Sequence, residues 1–568
     1  MSRNFDDERY AMETKGSERS MRFLRPYRHL NELNPIEQMK LDRHPFEVAE
    51  AIVSEYSSKG VDALMAVPGE VERLKWVGLY PQKQGGDAFM MRIKVPGGVL
   101  TAPQVREIGF AAEAFAEGPE EHPLFGNRYA DITTRQTIQL HWLTMADIPR
   151  MWQRFAAVGL TTLQACGDCA RNVTCCPVSG VDRNEVVPAL PVAQAISDFF
   201  TGNREYANLP RKFKIAIAGC TEDCSRVEIN DIGLWPARRR DGSIGFNVLA
   251  GGGLSDGERF GSDLDISIAP EQAVELTRAI AQVFGEIGNR EHRGLARMRY
   301  LVQELGPEGY RQALADRVRF ELEPAGEELT TSFRGDHVGV HPQVQEGLNY
   351  VGLSVPVGRV AGRELIEMAR LAELYGDGTI RFGIDQNAIV SGIPTNKVDA
   401  FLAEELLERL SPDAGPFTRG IVTCTGSEFC RYAIVETKER AVRWAADLDS
   451  RLAAAGVRDL PPIRTHFSGC SASCAQPQIG DIGLRGDTAH VGDRIEEGVD
   501  IGLGGTLGPE ASFIDWISGA VPITAVPDAL ERVATSFASG RAAEESFATW
   551  VRRTSNDTLR SMIEERQG

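Results

Sequence analysis

Two stretches decide the fold. AIAGCTEDCSRVEINDIGL, Ala216 to Leu234, aligns without gaps on HFSGCSASCAQPQIGDIGL, His466 to Leu484, at an offset of 250 residues. The shared frame is GCxxxC followed by DIGL. Upstream, RQTIQL from Arg135 falls opposite DQNAIV from Asp385 at the same offset, and downstream VLAGGGL from Val248 resembles IGLGGTL from Ile501 at an offset of 253. Order is kept and spacing nearly so, which predicts two similar halves of about 250 residues rather than a solenoid of short repeats.

Local patterns agree with that division. ELIEMARLAELYG places Leu365, Met368, Leu371 and Leu374 at helical spacing and closes on Gly376, read as the residue after a helix end. TIRFGI then alternates, so Ile380, Phe382 and Ile384 face one side of a strand. The first half repeats the order with helix-like VREIGFAAEAF, strand-like DITTRQTIQL and helix-like IPRMWQRFAAVGL. The expected class is α/β, or α+β with mixed sheets. ELEPAGEELTTSFRGD, Glu321 to Asp336, is polar, punctuated by Pro and Gly and without period, which marks it as the linker between halves.

The chain has 568 residues, enough for roughly three or four domains. Hydrophobic residues at 42% and charged residues at 25% exclude a disordered, collagenous or coiled-coil chain. A net charge of −18 argues against nucleic-acid binding, which rests on Lys and Arg neutralising phosphates. An anionic substrate would therefore need a local basic pocket. No long apolar run predicts a membrane span, and the polar start MSRNFDDERYAMETKGSERS lacks an apolar export core, so a cytoplasmic protein is expected.

Ten cysteines are too sparse for a disulfide scaffold, so their grouping matters. Cys424 and Cys430 form C-x5-C, and Cys470 and Cys474 form C-x3-C about forty residues later. Structural zinc favours tighter paired knuckles, whereas four thiolates suit an iron-sulfur cluster, with Gly426 and Gly469 letting backbone approach the sulfides. Four buried free thiols is the alternative. Cys169 and Cys175 are also C-x5-C, and Cys220 and Cys224 also C-x3-C, so a second cluster is open beside buried thiols for these and for Cys166 and Cys176.

CTGSEFCRYAIVETK with THFSGCSASCAQPQIGDIGL resembles the signature of the siroheme and 4Fe-4S family of assimilatory nitrite and sulfite reductases. The likeness runs through LNPIEQMKLDRHPFEV, GLYPQKQGGDAFMMRIKVPGG, DITTRQTIQLHW, NLPRKFK and GVHPQVQEG. It implies a cluster on Cys424, Cys430, Cys470 and Cys474, with the Cys474 sulfur also the proximal ligand of the siroheme iron. It implies a three-domain fold of two pseudo-symmetric halves around siroheme: an N-terminal extension (1–35), a ferredoxin-like half-domain (36–155), a siroheme- and substrate-side domain (156–325), a second ferredoxin-like half-domain (326–415) and a cluster-bearing domain with C-terminal helices (416–568). In such a frame a second cluster would obstruct the substrate, with Arg171 inside its loop. Tyr80 and Cys166 match positions that form a covalent link in some sulfite-reducing members.

In LPRKFKIAIAG, read as a strand, period two puts Lys212 and Lys214 on one face with Arg211 and Phe213 on the other. The resemblance adds Arg92 and Arg171 as substrate-contacting arginines, completing a four-cation cage. Arginines can fork two donors onto an oxyanion, while crowding by like charge makes the lysines proton donors. The resemblance also puts Arg135, Gln136 and His141 near the siroheme carboxylates.

Both nitrite and sulfite are small anions needing six electrons. Whole-chain likeness, as in GVHPQVQEGLNYVGLSVPVGRV, favours a ferredoxin-dependent nitrite reductase, whereas Lys214, where plant-type nitrite reductases usually carry asparagine, and the Tyr80 and Cys166 pair favour sulfite. Nitrite reduction is the expectation, assimilatory sulfite reduction the alternative, and a non-catalytic iron-sulfur electron carrier a second alternative. No G-x-G-x-x-G follows a strand, so electrons come from outside, by the resemblance from ferredoxin. Arg238 to Arg240, or Arg22, Arg25 and Arg28, are candidate docking charges. A monomer is the family default.

Overall fold

A computed structural model describes residues 33–255 and 257–564. The N-terminal extension, with Arg22, Arg25 and Arg28, lies almost wholly outside them. Four main sheets come in two matched pairs. The first has strands Leu79–Pro81, Phe89–Ile93, Ile138–Leu143 and Gly126–Ile132, and is completed by Arg359–Ala361 from the second half. The second has Gly339–Pro342, Leu348–Leu353, Ala388–Pro394 and Thr379–Phe382, completed by Val99–Thr101 from the first half. Each half thus lends the other an edge strand. Helices Ala102–Phe115 and Gly362–Tyr375 follow the lent strands and meet backbone to backbone, where a Cβ on Gly109 would lie 2.6 Å from the Gly362 carbonyl oxygen. These two sheets share one apolar core, which includes Val105, Ile108, Leu365 and Met368.

The other pair is Ser262–Ile268, Ile244–Ala250, Ile232–Arg238, Ile215–Ile217 and Thr174–Cys175, against Ile421–Thr423, Thr465–Ser468, Ile482–Val491, Arg494–Leu503 and Asp515–Pro522. Their registers fix the true equivalences between halves. Cys175 pairs with Ile217 and Thr423 with Phe467, and Ile217 and Phe467 are 250 apart. Cys175 is therefore equivalent to Thr423, and Cys176 to Cys424. The spacing argument had matched Cys169 and Cys175 with Cys424 and Cys430; the register shifts that match, and it leaves Asp182 at the Cys430 position.

Two side chains bolt the halves together in the same way. Gln136 Nε2 donates to the Phe382 and Cys175 carbonyls and its Oε1 accepts from Cys175 N; Gln386 Nε2 donates to the Ile132 carbonyl and its Oε1 accepts from Thr423 N. Both residues take left-handed backbone, at φ 56° and 71°. They close tight turns. DITTRQTIQL is consequently a hairpin rather than one strand, with Gln136 N donating to the Thr133 carbonyl at 2.9 Å.

Three further details depart from the sequence reading. Gly376 is not left-handed (φ −112°); it is required because a Cβ there would lie 2.3 Å from the Ser391 carbonyl oxygen. Leu374 is 49% exposed although Leu365, Met368 and Leu371 are buried. The linker is ordered: Glu327–Glu328 pairs with Ile232–Arg238, and Ser332–Phe333 runs parallel to Glu222–Asp223. Arg381 is buried beside Ile380 and Phe382, so that strand is covered on both faces. Among the described residues no helix is long and apolar enough to cross a membrane.

Candidate active site

Where the halves meet, a cavity of about 370 Å³ is lined by Cys424, Cys430, Cys470 and Cys474 from one half and by Arg92, Arg171, Lys212 and Lys214 from the other. All eight residues singled out in the sequence come together there. Ile421–Thr423 and Thr465–Ser468 deliver their two cysteine loops side by side because they are parallel neighbours whose carboxyl ends share one edge. Cys424 Sγ accepts from Gly426 N at 3.3 Å and Gly469 N at 3.2 Å. The glycines are needed: Gly426 has φ +69° and a Cβ there would lie 2.6 Å from Thr437 Oγ1. Burial and then Cys474 push the Cys424 thiol up to about 12 in the metal-free chain. Four converging sulfurs with inward amides fit an iron-sulfur cluster, since a cluster removes the thiol protons and uses the amide hydrogen bonds to tune its potential. Cys474 is the exposed member of the four and faces the cavity, as a sulfur shared with a second group requires.

The cations are positioned just as locally. Phe89–Ile93 brings Arg92 to the cavity, where it donates to Cys166 Sγ at 3.2 Å. Arg171 donates from Nε and Nη2 to the Gly167 carbonyl at 3.2 and 3.1 Å. Its loop is held by Asp168, which accepts two hydrogen bonds from Arg293 at 2.8 and 3.2 Å. Lys212 and Lys214 share the cavity face, while Phe213 is buried and Arg211 turns toward Asp168 at 3.7 Å. The alternation is as period two expects, although the strand itself spans only Ile215–Ile217. Burial, then Arg297 and Arg171, pull the Lys212 ammonium down to about 7, against an opposing pull from Cys474. Burial, Arg297 and Lys212 hold Lys214 well below the usual lysine range.

Siroheme needs cations for its carboxylates. Arg135 lines the cavity, donating to Asn230 Oδ1 and the Asn172 carbonyl while its buried Nε has no hydrogen-bond partner. Arg92 Nε is likewise buried without a partner, and Lys75, Arg297, Arg431 and Lys438 also line the cavity. This donor set fits a polyanionic macrocycle. His141 lines the cavity too, stacked on Phe429 at 3.9 Å and 3.2 Å from Asp131. Gln136 does not line it, its amide being consumed in the bolt between halves. Tyr80 lies beside Cys166, and burial followed by Cys166 raises its hydroxyl.

Sequence reasoning missed Arg297. It pairs with Asp231 of the DIGL frame at 3.0 Å and crowds both lysines. A buried aspartate announces a cation partner, but the sequence does not say which arginine supplies it.

Comparisons with known proteins agree with this architecture. Residues 166–322 and 414–568 match the nitrite and sulphite reductase 4Fe-4S domain, and residues 80–158 and 341–407 match the nitrite/sulfite reductase ferredoxin-like half domain. The chain is 39% identical over 552 residues to a protein of Haloferax mediterranei named assimilatory ferredoxin-dependent nitrite reductase, covering 93% of each chain. It is 39% identical to a Synechococcus elongatus protein named ferredoxin–nitrite reductase, covering 88% of this chain and 96% of that one. The structure of the Mycobacterium tuberculosis NirA protein superposes with a TM-score of 0.86 at 31% identity, covering 93% and 98% of the two chains.

Proposed function

The chain belongs to the nitrite and sulphite reductase family, and from that premise we infer that it is an oxidoreductase reducing nitrite to ammonia at a siroheme coupled to a 4Fe-4S cluster, with reduced ferredoxin as donor. The observation that carries the reading is the cavity in which one half's thiols meet the other half's cations. Cys424, Cys430, Cys470 and Cys474 would hold the cluster, with Cys474 also toward the siroheme, and Arg135 and neighbouring cations would hold the siroheme carboxylates. When bound, the two groups supply electrons one at a time and the iron at which substrate is reduced.

The chain's own residues do the rest. Arg92 and Arg171 stay charged and grip the nitrite oxygens, which fixes the anion in a protein of net negative charge. The Gly167 carbonyl and Cys166 sulfur limit where those guanidinium groups can swing. Lys212, pulled down to about 7, is poised to give up a proton from Nζ as each nitrogen–oxygen bond breaks. Arg297, Arg171 and Lys214 crowd it, so neutralising one ammonium relieves repulsion on the others.

Sulfite remains the second reading because of Lys214. Lys214 lines the cavity beside Lys212, where an extra cation suits a dianion better than a monoanion. For the donor, Arg238 and Arg239 are already paired with Glu327 and with Asp241 and Glu323. Exposed Lys83, Arg431 and Tyr432 beside Cys430 offer a better-placed patch for an acidic ferredoxin. The cytoplasm is the compartment that suits ten cysteines with no disulfide among them. Protein purified without oxygen should contain about five iron atoms per chain and show a siroheme absorption band. It should make ammonium from nitrite with reduced ferredoxin, at an affinity that falls as salt rises. A cluster spectrum with no siroheme band would instead favour the electron-carrier alternative.

A further inference from the structure

Cys176, Cys220 and Cys224 are the first-half equivalents of Cys424, Cys470 and Cys474, yet none of them lines the cavity. All three are buried. They are joined by His337, 5% exposed, which stands between the linker and strand Gly339–Pro342. The ligand atoms of Cys176, Cys224 and His337 all lie within 4.8 Å of one another, and Cys220 Sγ is 3.8 Å from Cys176 Sγ. Among the described residues no other group of three or more such atoms is so close, the four cavity cysteines included. A wide set of thiols suits a polynuclear cluster; a tight one suits a single ion. Two thiolates on one tetrahedral zinc, with bonds of about 2.3 Å, stand about 3.8 Å apart.

The histidine supplies the independent observation. Its Nδ1 lies 3.4 Å from the Tyr350 hydroxyl, while Nε2 is buried with no hydrogen-bond partner. A buried imidazole nitrogen with no hydrogen-bond partner, beside the Cys176 and Cys224 sulfurs, is stabilised by a group that binds it. A metal on Nε2 with a polar partner on Nδ1 is how a ligating imidazole is oriented, and the Tyr350 hydroxyl is that partner here.

We propose that Cys176, Cys224 and His337 bind one zinc ion, with Cys220, whose sulfur is 3.8 Å from that of Cys176, turning in as the fourth ligand of a closed Cys3His site. Three thiols would release their protons on binding, and no electron is transferred. Three thiolates on a divalent ion leave one net negative charge, and two arginines are placed to offset it. Arg381 donates to the Pro177 and Ser179 carbonyls in the loop after Cys176, and Arg334, whose guanidinium also pairs with Glu222 at 3.3 Å, is held beside Cys224 by its backbone bond to the Asp223 carbonyl. The ion would staple the linker to the first half. Ser332–Phe333 already runs along Glu222–Asp223, between Cys220 and Cys224, and a Cβ on Gly352 would lie 1.8 Å from the His337 carbonyl oxygen, so the histidine backbone is pressed into place.

The test is metal analysis of the full-length, anaerobically purified holoenzyme, with zinc-edge X-ray absorption on the same sample. The expected result is about one zinc per chain beside about five iron, with three sulfurs near 2.3 Å and one nitrogen near 2.0 Å. Cys224→Ser and His337→Ala should each lower zinc at least tenfold while iron and the siroheme band persist. If either variant is insoluble, the wild-type absorption data decide alone. Zinc below about a tenth per chain, a Cys176–Cys220 disulfide found by mass, or about nine iron per chain would overturn the proposal.

Discussion

The two halves share one scaffold and have divided the chemistry between them. At equivalent positions the first half has Lys214 where the second has Arg464, Arg171 where the second has Arg419, and Arg92 where the second has Gly352. The first-half cations open onto the cavity. The second-half arginines are spent, Arg464 on Asp481 and Arg419 on Asp336, at 2.5 and 2.7 Å. Thiols run the other way: Cys424, Cys470 and Cys474 face the cavity, whereas Cys176, Cys220 and Cys224 are sealed. A repeat therefore builds a two-sided site by neutralising in each half what the other half presents. The lesson is about counter-ions: Arg92 and Arg171 face the cavity with no carboxylate paired to them, whereas their second-half counterparts are replaced or paired.

The comparison breaks most sharply at the cysteines. Cys474→Ser should abolish nitrite turnover and the siroheme band, while the equivalent Cys224→Ser retains both; activity and iron content report the contrast, and equal losses would show that the halves are not divided. Next comes the proton. Lys212→Gln should lower kcat about a hundredfold or more. Lys212 donates only when protonated, so wild-type turnover should fall as pH rises past about 7, with nearby siroheme carboxylates pulling that limb upward. The variant should lack the limb. A pH–rate profile of each protein checks it.

Smaller effects follow from the anion grip. Arg92→Gln should raise KM for nitrite by ten- to a hundredfold, the worth of about 1.5–3 kcal/mol of charged hydrogen bonds, with kcat changed less. Lys214→Asn should have the smallest effect, lowering sulfite turnover severalfold more than nitrite turnover. Equal losses would remove Lys214 from the discussion of specificity.

Much of this was legible in the chain. The GCxxxC and DIGL frame exposes the repeat because Asp231 and Asp481 each cap the same strand edge, accepting from Lys214 N and Arg464 N at 2.9 Å. Period two sorted Lys212 from Phe213 even outside a strand, because extended backbone alternates its side chains with or without a ladder. The match between cysteine pairs failed by spacing alone: C-x5-C occurs by coincidence at Cys169 and Cys175, and only strand register reveals Cys176 as the equivalent of Cys424. The exchanged strands Val99–Thr101 and Arg359–Ala361 were illegible, since pairing between residues 228 or more apart leaves no local pattern. The resemblance puts Gln136 near the siroheme carboxylates with Arg135 and His141; its left-handed backbone, invisible in sequence, turns the amide inward.

The most direct measurement is turnover by the anaerobically purified enzyme with a chemically reduced viologen, comparing kcat/KM for nitrite and sulfite and identifying the product. The account predicts a clear preference for nitrite, with ammonium formed at one per six electrons consumed. A clear preference for sulfite, or nitrite consumed without ammonium, would contradict it.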